Sequence, residues 1–155
     1  MDIPSDHSPL GVLARLNAAV NGHDLDAFVA CFDPGYESEQ PAHPDRRFRG
    51  ASQVRSNWTA MFAGVPDFRA EILRSAAADG SAWVEWQWTG TRTDGSHLAA
   101  CGVCVFGVRN GLVAWGRLYM EDVEAGSGIE AAVAGFAEGR AVRTTEGEAK
   151  SSSRA

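Results

Sequence analysis

Apolar residues recur at helical spacing in the first third of the chain. Ser8-Pro9 favours a helix start, since serine can cap the first free amide groups and proline fits the first helical position. Leu13, Leu16 and Val20 then follow three or four residues apart, and Asn21-Gly22 ends the pattern. The spacing predicts one amphipathic helix up to that dipeptide.

A second, shorter helix is predicted to follow at once. Asp24 can cap it, and Leu25, Phe28 and Phe32 would share one face. The Asp-Pro-Gly sequence at 33–35 predicts a turn that ends this helix. Two helices joined this closely form a helical hairpin.

A short strand and a third helix come next. Residues 36–40 are predicted as the strand and residues 41–45 as a loop. A helix is predicted over residues 51–63, with Ser52 as its cap. Its apolar stripe consists of Val54, Trp58, Met61 and Phe62.

From residue 67 the pattern changes to strands separated by turn dipeptides. The strand candidates are residues 68–76, 82–91, 97–108 and 112–123. Their connectors are Asp79-Gly80, Asp94-Gly95 and Asn110-Gly111, and glycine beside Asp or Asn tolerates the positive φ of a tight hairpin turn. Three such turns in succession predict an antiparallel meander of four strands.

The two ends of the chain differ from this central part. Residues 1–8 are predicted as a flexible N-terminus and residues 9–124 as one domain. Residues 125–139 are predicted to contain a short amphipathic helix. Residues 140–155 are rich in Ser, Thr, Glu and Arg with few apolar residues, which predicts a disordered tail.

The order of these elements is typical of the α+β class, because two helices, a strand and a third helix precede the meander. One twisted sheet covered on one face by three helices leaves a cone whose wide end is not filled by side chains. We expect a pocket for a small apolar molecule there, with the strand from Trp115 to Glu121 as part of its wall.

Composition and charge narrow the range of partners. The 155 residues are 45% hydrophobic and 22% charged, as in a globular protein, and the formal net charge is -6. This acidity argues against nucleic acid and anionic membrane surfaces as partners. No apolar run approaches a membrane span, and the N-terminus lacks the basic and apolar segments of a signal peptide, so we expect a cytoplasmic protein.

The sequence gives no reason to expect a metal or another cofactor. Three cysteines are present, and Cys101 and Cys104 have CxxC spacing within an apolar, β-branched run. A redox CxxC normally opens a helix, so we favour structural thiols over redox chemistry. The four histidines are scattered without the spacing of a zinc site, and no nucleotide-binding or serine-hydrolase motif occurs.

Five segments between residues 9 and 124 occur in an order typical of one superfamily. They are residues 21–26 (NGHDLD), Gly50, residues 84–86 (VEW), residues 106–113 (FGVRNGLV) and residues 117–121 (RLYME). With them the chain resembles the nuclear transport factor 2-like superfamily, in particular its SnoaL-like (polyketide-cyclase-like) and ketosteroid-isomerase-like branches. The resemblance implies a cone-shaped, strongly curved mixed or antiparallel sheet wrapped around three helices, a cystatin-like α+β barrel. Members include isomerases, cyclases, epoxide hydrolases and non-catalytic binders, so the resemblance leaves the activity open.

The same resemblance directs attention to the strand at residues 115–121. Alternation puts Arg117, Tyr119 and Glu121 on one face, and family members usually place an acidic residue of this strand in the pocket. We therefore expect Glu121 to act as a general acid or base, while Arg117 and Tyr119 polarise or orient a ligand. The alternative is a structural ion pair between Arg117 and Glu121 at the mouth of the cone.

A second acid–base candidate is His43. It lies in a loop stiffened by Pro41 and Pro44, where a histidine near the mouth of a pocket can transfer protons. Glu39, on the preceding strand, could pair with His43 and contact a ligand. The alternative is a surface histidine without a catalytic role.

Aromatic residues suggest one wall of the pocket. Trp86 and Trp88 share a strand face, and Trp58 and Phe62 of the third helix could complete an aromatic wall for a ligand. The alternative is ordinary core packing. The opposite face of the same strand carries Trp83, Glu85 and Gln87. A second subunit could cover that face, so we expect a homodimer.

Together these expectations favour a cofactor-independent isomerase or cyclase. It would move a proton on a small hydrophobic carbonyl compound, with Glu121 and His43 as the acid–base pair. One alternative is a non-catalytic module that binds a small lipophilic ligand. The other is a dimerisation domain.

Overall fold

The computed structural model describes residues 6–139, which fall into two compact units divided after Val123. The first unit consists of α1 (Pro9–Asn21), α2 (Leu25–Val29), β1 (Phe32–Glu39), β2 (Phe48–Arg49), α3 (Ala51–Gly64), β3 (Arg69–Ala78), β4 (Ser81–Thr91), β5 (His97–Arg109) and β6 (Leu112–Asp122). One turn of 3₁₀ helix, Pro44–Arg46, precedes β2.

All six strands form one curved sheet in the order β2-β1-β6-β5-β4-β3. Neighbouring strands are antiparallel, except that β1 and β6 run parallel. The predicted α+β class and the curved mixed sheet are confirmed. The sheet remains open between β2 and β3 and does not close into a barrel.

One face of the sheet packs against α1, α2 and α3. Leu16, Phe28 and Val54 of the helices belong to the same buried cluster as Val84 and Phe106 of the strands. Burial of this cluster removes apolar surface from water, which is the main stabilising contribution to such a fold. We call this face of the sheet the inner face and the opposite one the outer face.

The hairpin turns explain the meander. Asp79 and Gly80 have φ angles of 50° and 74°, and Asn110 and Gly111 have φ angles of 54° and 72°. Both dipeptides thus adopt the left-handed conformation of a tight two-residue hairpin. The middle connection is longer, and in it Gly95 has a φ of 88°. The predicted four-stranded antiparallel meander is confirmed.

The second helix is shorter than predicted, and the first strand begins earlier. Phe32 was assigned to a helix face, but α2 ends at Val29 and Phe32 pairs with Val113 of β6. The backbone amide of Val113 also donates to the carbonyl of Cys31 at 2.8 Å. Pairing with β6 therefore outweighs the local helical pattern at Phe32. The residues predicted as a turn, 33–35, lie within β1, at the shift in strand register between Phe32 and Glu37.

The start of α3 also differs from the prediction. Gly50, with a φ of 102°, occupies the N-cap position, and Ser52 lies inside the helix without capping it. The short strand β2, immediately before, was not predicted. It pairs with β1, with Phe48 opposite Ser38.

The second unit contains α4 (Ile129–Ala137). This helix lies within the segment in which the sequence predicts one. Its apolar residues Ile129, Val133 and Phe136 are exposed. The predicted tail at 140–155 and the first five residues of the predicted flexible N-terminus lie outside the described residues.

Asn21, the last residue of α1, attaches the helical hairpin to the edge of the sheet. Its side-chain amide donates to the carbonyl of Ala70, and its side-chain oxygen accepts from the amide of the same residue, both at 2.8 Å. Ala70 is buried and lies in β3, the edge strand. The side chain thus pairs with two backbone groups that would otherwise have no strand beside them.

We expect Asn21→Ala to lower the free energy of unfolding by about 1–3 kcal/mol, because it leaves the two polar groups of Ala70 without partners. Urea denaturation would measure the change. The matched control is Gln53→Ala, which removes an exposed side-chain hydrogen bond on α3. Equal stability of Asn21→Ala and the control would contradict this role.

Candidate functional site

The inner face of the sheet and the helices of the first unit enclose a cavity of about 180 Å³. Its lining residues are Leu16, Val20, Phe28, Phe32, Tyr36, Ser38, Gln40, Phe48, Val54, Asn57, Trp58, Met61, Ala70, Trp86, Trp88, Phe106 and Leu118. Gln40 is partly exposed and Asn57 is exposed, so they mark the opening, whereas Tyr36 and Phe106 are buried.

Eight of these lining residues are aromatic. In order of contact they are Phe48, Tyr36, Phe32, Phe28, Trp58, Trp88, Trp86 and Phe106. Successive ring centroids lie between 4.8 and 6.0 Å apart, and most neighbouring rings are tilted or edge-to-face. These are the distances and geometries that aromatic rings prefer. We call this unbroken chain of contacts the aromatic wall.

Two buried residues of the lining, Tyr36 and Ser38, carry hydroxyl groups. Burial raises the pKa of Tyr36 to about 12, and a hydrogen bond with Ser38 offsets part of the rise. The phenol is therefore neutral at physiological pH and can donate a hydrogen bond. It lies over Gly116 of β6, where any side chain would overlap the Tyr36 hydroxyl.

The opening of the cavity carries two amide side chains. The carbonyl oxygen of Gln40 accepts from Arg46 at 3.1 Å, and that of Asn57 accepts from Gln53 at 2.8 Å. Each amide group keeps its N–H donors for other partners. Among the described residues that line the cavity, none carries a formal charge at neutral pH.

The structure places Arg117, Tyr119 and Glu121 of β6 on the outer face. Leu118 lines the cavity, whereas the neighbouring Arg117 and Tyr119 point the other way, and Tyr119 is 44% exposed. The expectation that Arg117, Tyr119 and Glu121 face the pocket is therefore corrected. The strand does form part of the cavity wall, but through its other set of side chains.

The two predicted acid–base residues lie together. His43 Nε2 and Glu121 Oε1 are 2.7 Å apart, with side-chain exposures of 33% and 58%. Arg117 pairs instead with Glu39, at 3.6 Å. The sequence suggested pairing Arg117 with Glu121 and Glu39 with His43. The structure exchanges these partners, because Glu39 and Arg117 lie opposite each other where β1 and β6 pair in parallel.

Of the four aromatic residues predicted to line the pocket, three line the cavity and one lies outside it. Trp58, Trp86 and Trp88 line the cavity, and the Trp86 indole donates to Asn17 Oδ1 at 3.1 Å. Phe62 is not among the lining residues. It stacks on His23 with a centroid distance of 4.7 Å, so it supports the helices.

Sequence reasoning missed the hydroxyl groups of the cavity lining. Tyr36 and Ser38 lie on the face of β1 opposite Glu37 and Glu39, so strand alternation does contain the signal. Leu118 was assigned to the face of β6 opposite the expected pocket. Only the pairing partners of each strand reveal which face is inner.

Residues 6–139 also contain the cysteines and the other side chains that typically hold metal ions. No group of three or more His, Cys, Asp or Glu side chains in that range is placed to hold a metal ion. Cys101 is exposed and Cys104 is buried, and both are free thiols. Burial raises the pKa of Cys104 to about 12. None of the helices described has the length and apolar character needed to cross a membrane.

Solved structures share this fold at low sequence identity. A LEH-like epoxide hydrolase from M. tuberculosis is 19% identical with a TM-score of 0.62, over 71% of this chain and 80% of that one. A SnoaL-like protein of unknown function from Burkholderia thailandensis is 23% identical with a TM-score of 0.58, over 75% and 95% of the two chains.

A third structure, from Catenulispora acidiphila, has a ketosteroid isomerase-like fold and was solved in complex with trimethylamine. It is 14% identical with a TM-score of 0.61, over 74% of this chain and 85% of that one. Similarity at these identities establishes the fold and leaves the activity open.

Among curated proteins, none matches the chain. The family model of the SnoaL-like domain matches residues 13–116, which include the helices α2 and α3 and most of the sheet. Since this match covers more than half of the chain, the protein belongs to the family of SnoaL-like domains.

Proposed function

We propose that the protein binds a small, neutral, lipophilic molecule in the cavity of its first unit. The observation that carries this proposal is the composition of the lining, which combines the aromatic wall with a few uncharged polar groups. Ligand sites for small molecules typically have this combination of apolar surface and few polar groups. The proposal corresponds to the non-catalytic alternative considered from the sequence.

The lining also disfavours acid–base catalysis inside the cavity. Tyr36 is the titratable residue among the described lining residues, and its pKa of about 12 keeps it protonated at neutral pH. A general base works best when its pKa lies near the working pH. Binding without proton transfer is therefore the function that the cavity supports best.

We expect at least one of three neutral probes, 4-methylphenol, 2-naphthol or progesterone, to raise the melting temperature of the protein. Binding at 100 times Kd adds about 2.7 kcal/mol of stability, which is a shift of several degrees. Leu118→Trp should abolish the shift by filling the cavity, whereas Tyr119→Trp, one residue away on the outer face, should preserve it. A shift that survives Leu118→Trp, or no shift with any probe, would contradict the proposal.

A second candidate function rests on the hydrogen bond between His43 and Glu121. A carboxylate 2.7 Å from an imidazole nitrogen can accept a proton and pass it on. We propose that this pair catalyses proton transfer on a carbonyl compound bound outside the cavity. On the outer face, Arg117 and Tyr119 precede Glu121 along β6 and could orient the carbonyl oxygen, and Glu39 holds Arg117.

The test is exchange of deuterium into cyclohexanone in D₂O, followed by proton NMR. The base removes a proton from the carbon beside the carbonyl and solvent returns a deuteron. We expect Glu121→Gln and His43→Gln each to lower the protein-dependent rate by about 100-fold or more. Glu85→Gln is the control, since Glu85 pairs with Arg74 elsewhere on the sheet. An unchanged rate in Glu121→Gln would rule out the mechanism.

We also propose that the outer face of the sheet forms a homodimer interface. Leu73, Trp83 and Trp115 are 46%, 49% and 39% exposed, an unusual amount of apolar surface for strands of one sheet. The Trp115 indole lies over Gly107, where any side chain would overlap it, so the ring presents a flat surface. Gln87 and Glu85, also expected at the interface, lie on the same strand as Trp83.

Sedimentation equilibrium tests the interface. The wild-type chain should sediment at twice its mass of 16.5 kDa, and Trp83→Arg should sediment as a monomer because it buries a charge in the interface. Gln53→Arg on α3 adds the same charge away from the sheet and should leave the dimer intact. A wild-type monomer at high concentration would remove the proposal.

A further inference from the structure

The size of the cavity limits the buried part of a ligand to about one ring. An apolar cavity of about 150 Å³ accommodates a benzene molecule. The cavity between the helices and the inner face measures about 180 Å³, which adds room for small substituents on one ring. Molecules with several fused rings exceed this volume, although other proteins use the same fold for other ligands.

The aromatic wall favours a flat ring over a saturated one. Its eight rings are tilted against one another, as in the contacts of Trp58 with Phe28 at 55° and with Trp88 at 78°. A further ring in the cavity can therefore meet some neighbours face-on and others edge-on. Such pairs contribute about 0.5–1.5 kcal/mol each beyond the burial of apolar area.

The lining of the cavity provides no counter-ion for an ionic ligand. None of the described lining residues is ionised at neutral pH, and Arg46, which lies at the opening, is already bonded to Gln40. A carboxylate or ammonium group in the cavity would lose its hydration without gaining a counter-ion. The ligand is therefore neutral.

The hydroxyl groups of Tyr36 and Ser38 can bind a polar atom on the ligand, because a phenol that accepts from Ser38 still has its own O–H to donate. Tyr36 and Ser38 are buried, 3% and 2% exposed, so bulk water does not reach them freely. A hydroxyl or carbonyl oxygen on the ring can accept from Tyr36. Gly116 is essential to this arrangement, because it leaves room for the Tyr36 hydroxyl above β6.

From these four observations we propose that the natural ligand is a neutral, monocyclic aromatic compound whose single hydroxyl or carbonyl group binds Tyr36 and Ser38. This rests on the proposed function, since it names the chemical class that the same cavity binds.

Isothermal titration of the full chain with paired probes tests the class. 4-Methylphenol should bind, whereas 2-naphthol should bind more weakly and progesterone should show no binding up to its solubility. Benzamide should bind at least about tenfold more tightly than benzoate, which has nearly the same shape and a charge. Equal or tighter binding of 2-naphthol, progesterone or benzoate would overturn the ligand class while leaving cavity binding intact. Absence of binding by every probe would overturn both.

Two variants test the polar contact. Tyr36→Phe should weaken 4-methylphenol about 2- to 10-fold, which corresponds to one hydrogen bond, and should not weaken p-xylene, which has the same shape without the hydroxyl. Ser38→Ala provides a second, smaller substitution with the same expectation, in case Tyr36→Phe disturbs folding. If both variants weaken the two probes equally, the hydroxyl groups do not recognise the ligand and the proposal is wrong.

Discussion

The contact between Tyr36 and Gly116 is the constraint on which the rest of the structure depends. Strand β1 joins the N-terminal helices to the meander by parallel pairing with β6, with Ser38 opposite Gly116. Because Gly116 has no side chain, the Tyr36 hydroxyl can lie over its backbone. This close approach favours the observed register of β1 against β6. A shift of one residue would exchange the inner and outer side chains of β1. This contact therefore decides which residues reach the cavity.

The chemistry of the interior follows from that register. Tyr36, Ser38 and Leu118 face the cavity, whereas Glu39 and Arg117 face outward and pair with each other. An ion inside would lose hydration without a partner, so the polar residues that remain inside are uncharged. The burial that raises the pKa of Tyr36 also keeps it a hydrogen-bond donor over the physiological range. A ligand bound there would be recognised by its shape and its hydrogen bonds, since the lining offers no charge.

Local signals predicted the elements whose geometry is set by a few neighbouring residues. Asp79-Gly80 and Asn110-Gly111 form tight turns because those residues tolerate positive φ, and the meander follows. The start of β1 is set by a contact distant in sequence. Phe32 fits the apolar face of the preceding helix, and only its pairing with Val113 assigns it to the strand. The inner face of β6 is likewise set by its neighbours β1 and β5. Alternation correctly put Arg117, Tyr119 and Glu121 on one face of β6. Their polar side chains suggested that this face lines the pocket, whereas it is the outer face.

Strand β6 lies between β1 and β5 and so takes part in two surfaces at once. Its alternate residues belong either to the neutral cavity, as Leu118 does, or to the charged and aromatic outer face, as Trp115 and Arg117 do. Glu121 lies with the outer set, and the backbone amide of its partner His43 donates to the carbonyl of Gln40, which lines the cavity at its opening. Neither His43 nor Glu121 lines the cavity, so a substitution of Glu121 leaves the lining unchanged, and a substitution of Leu118 leaves the His43–Glu121 pair unchanged.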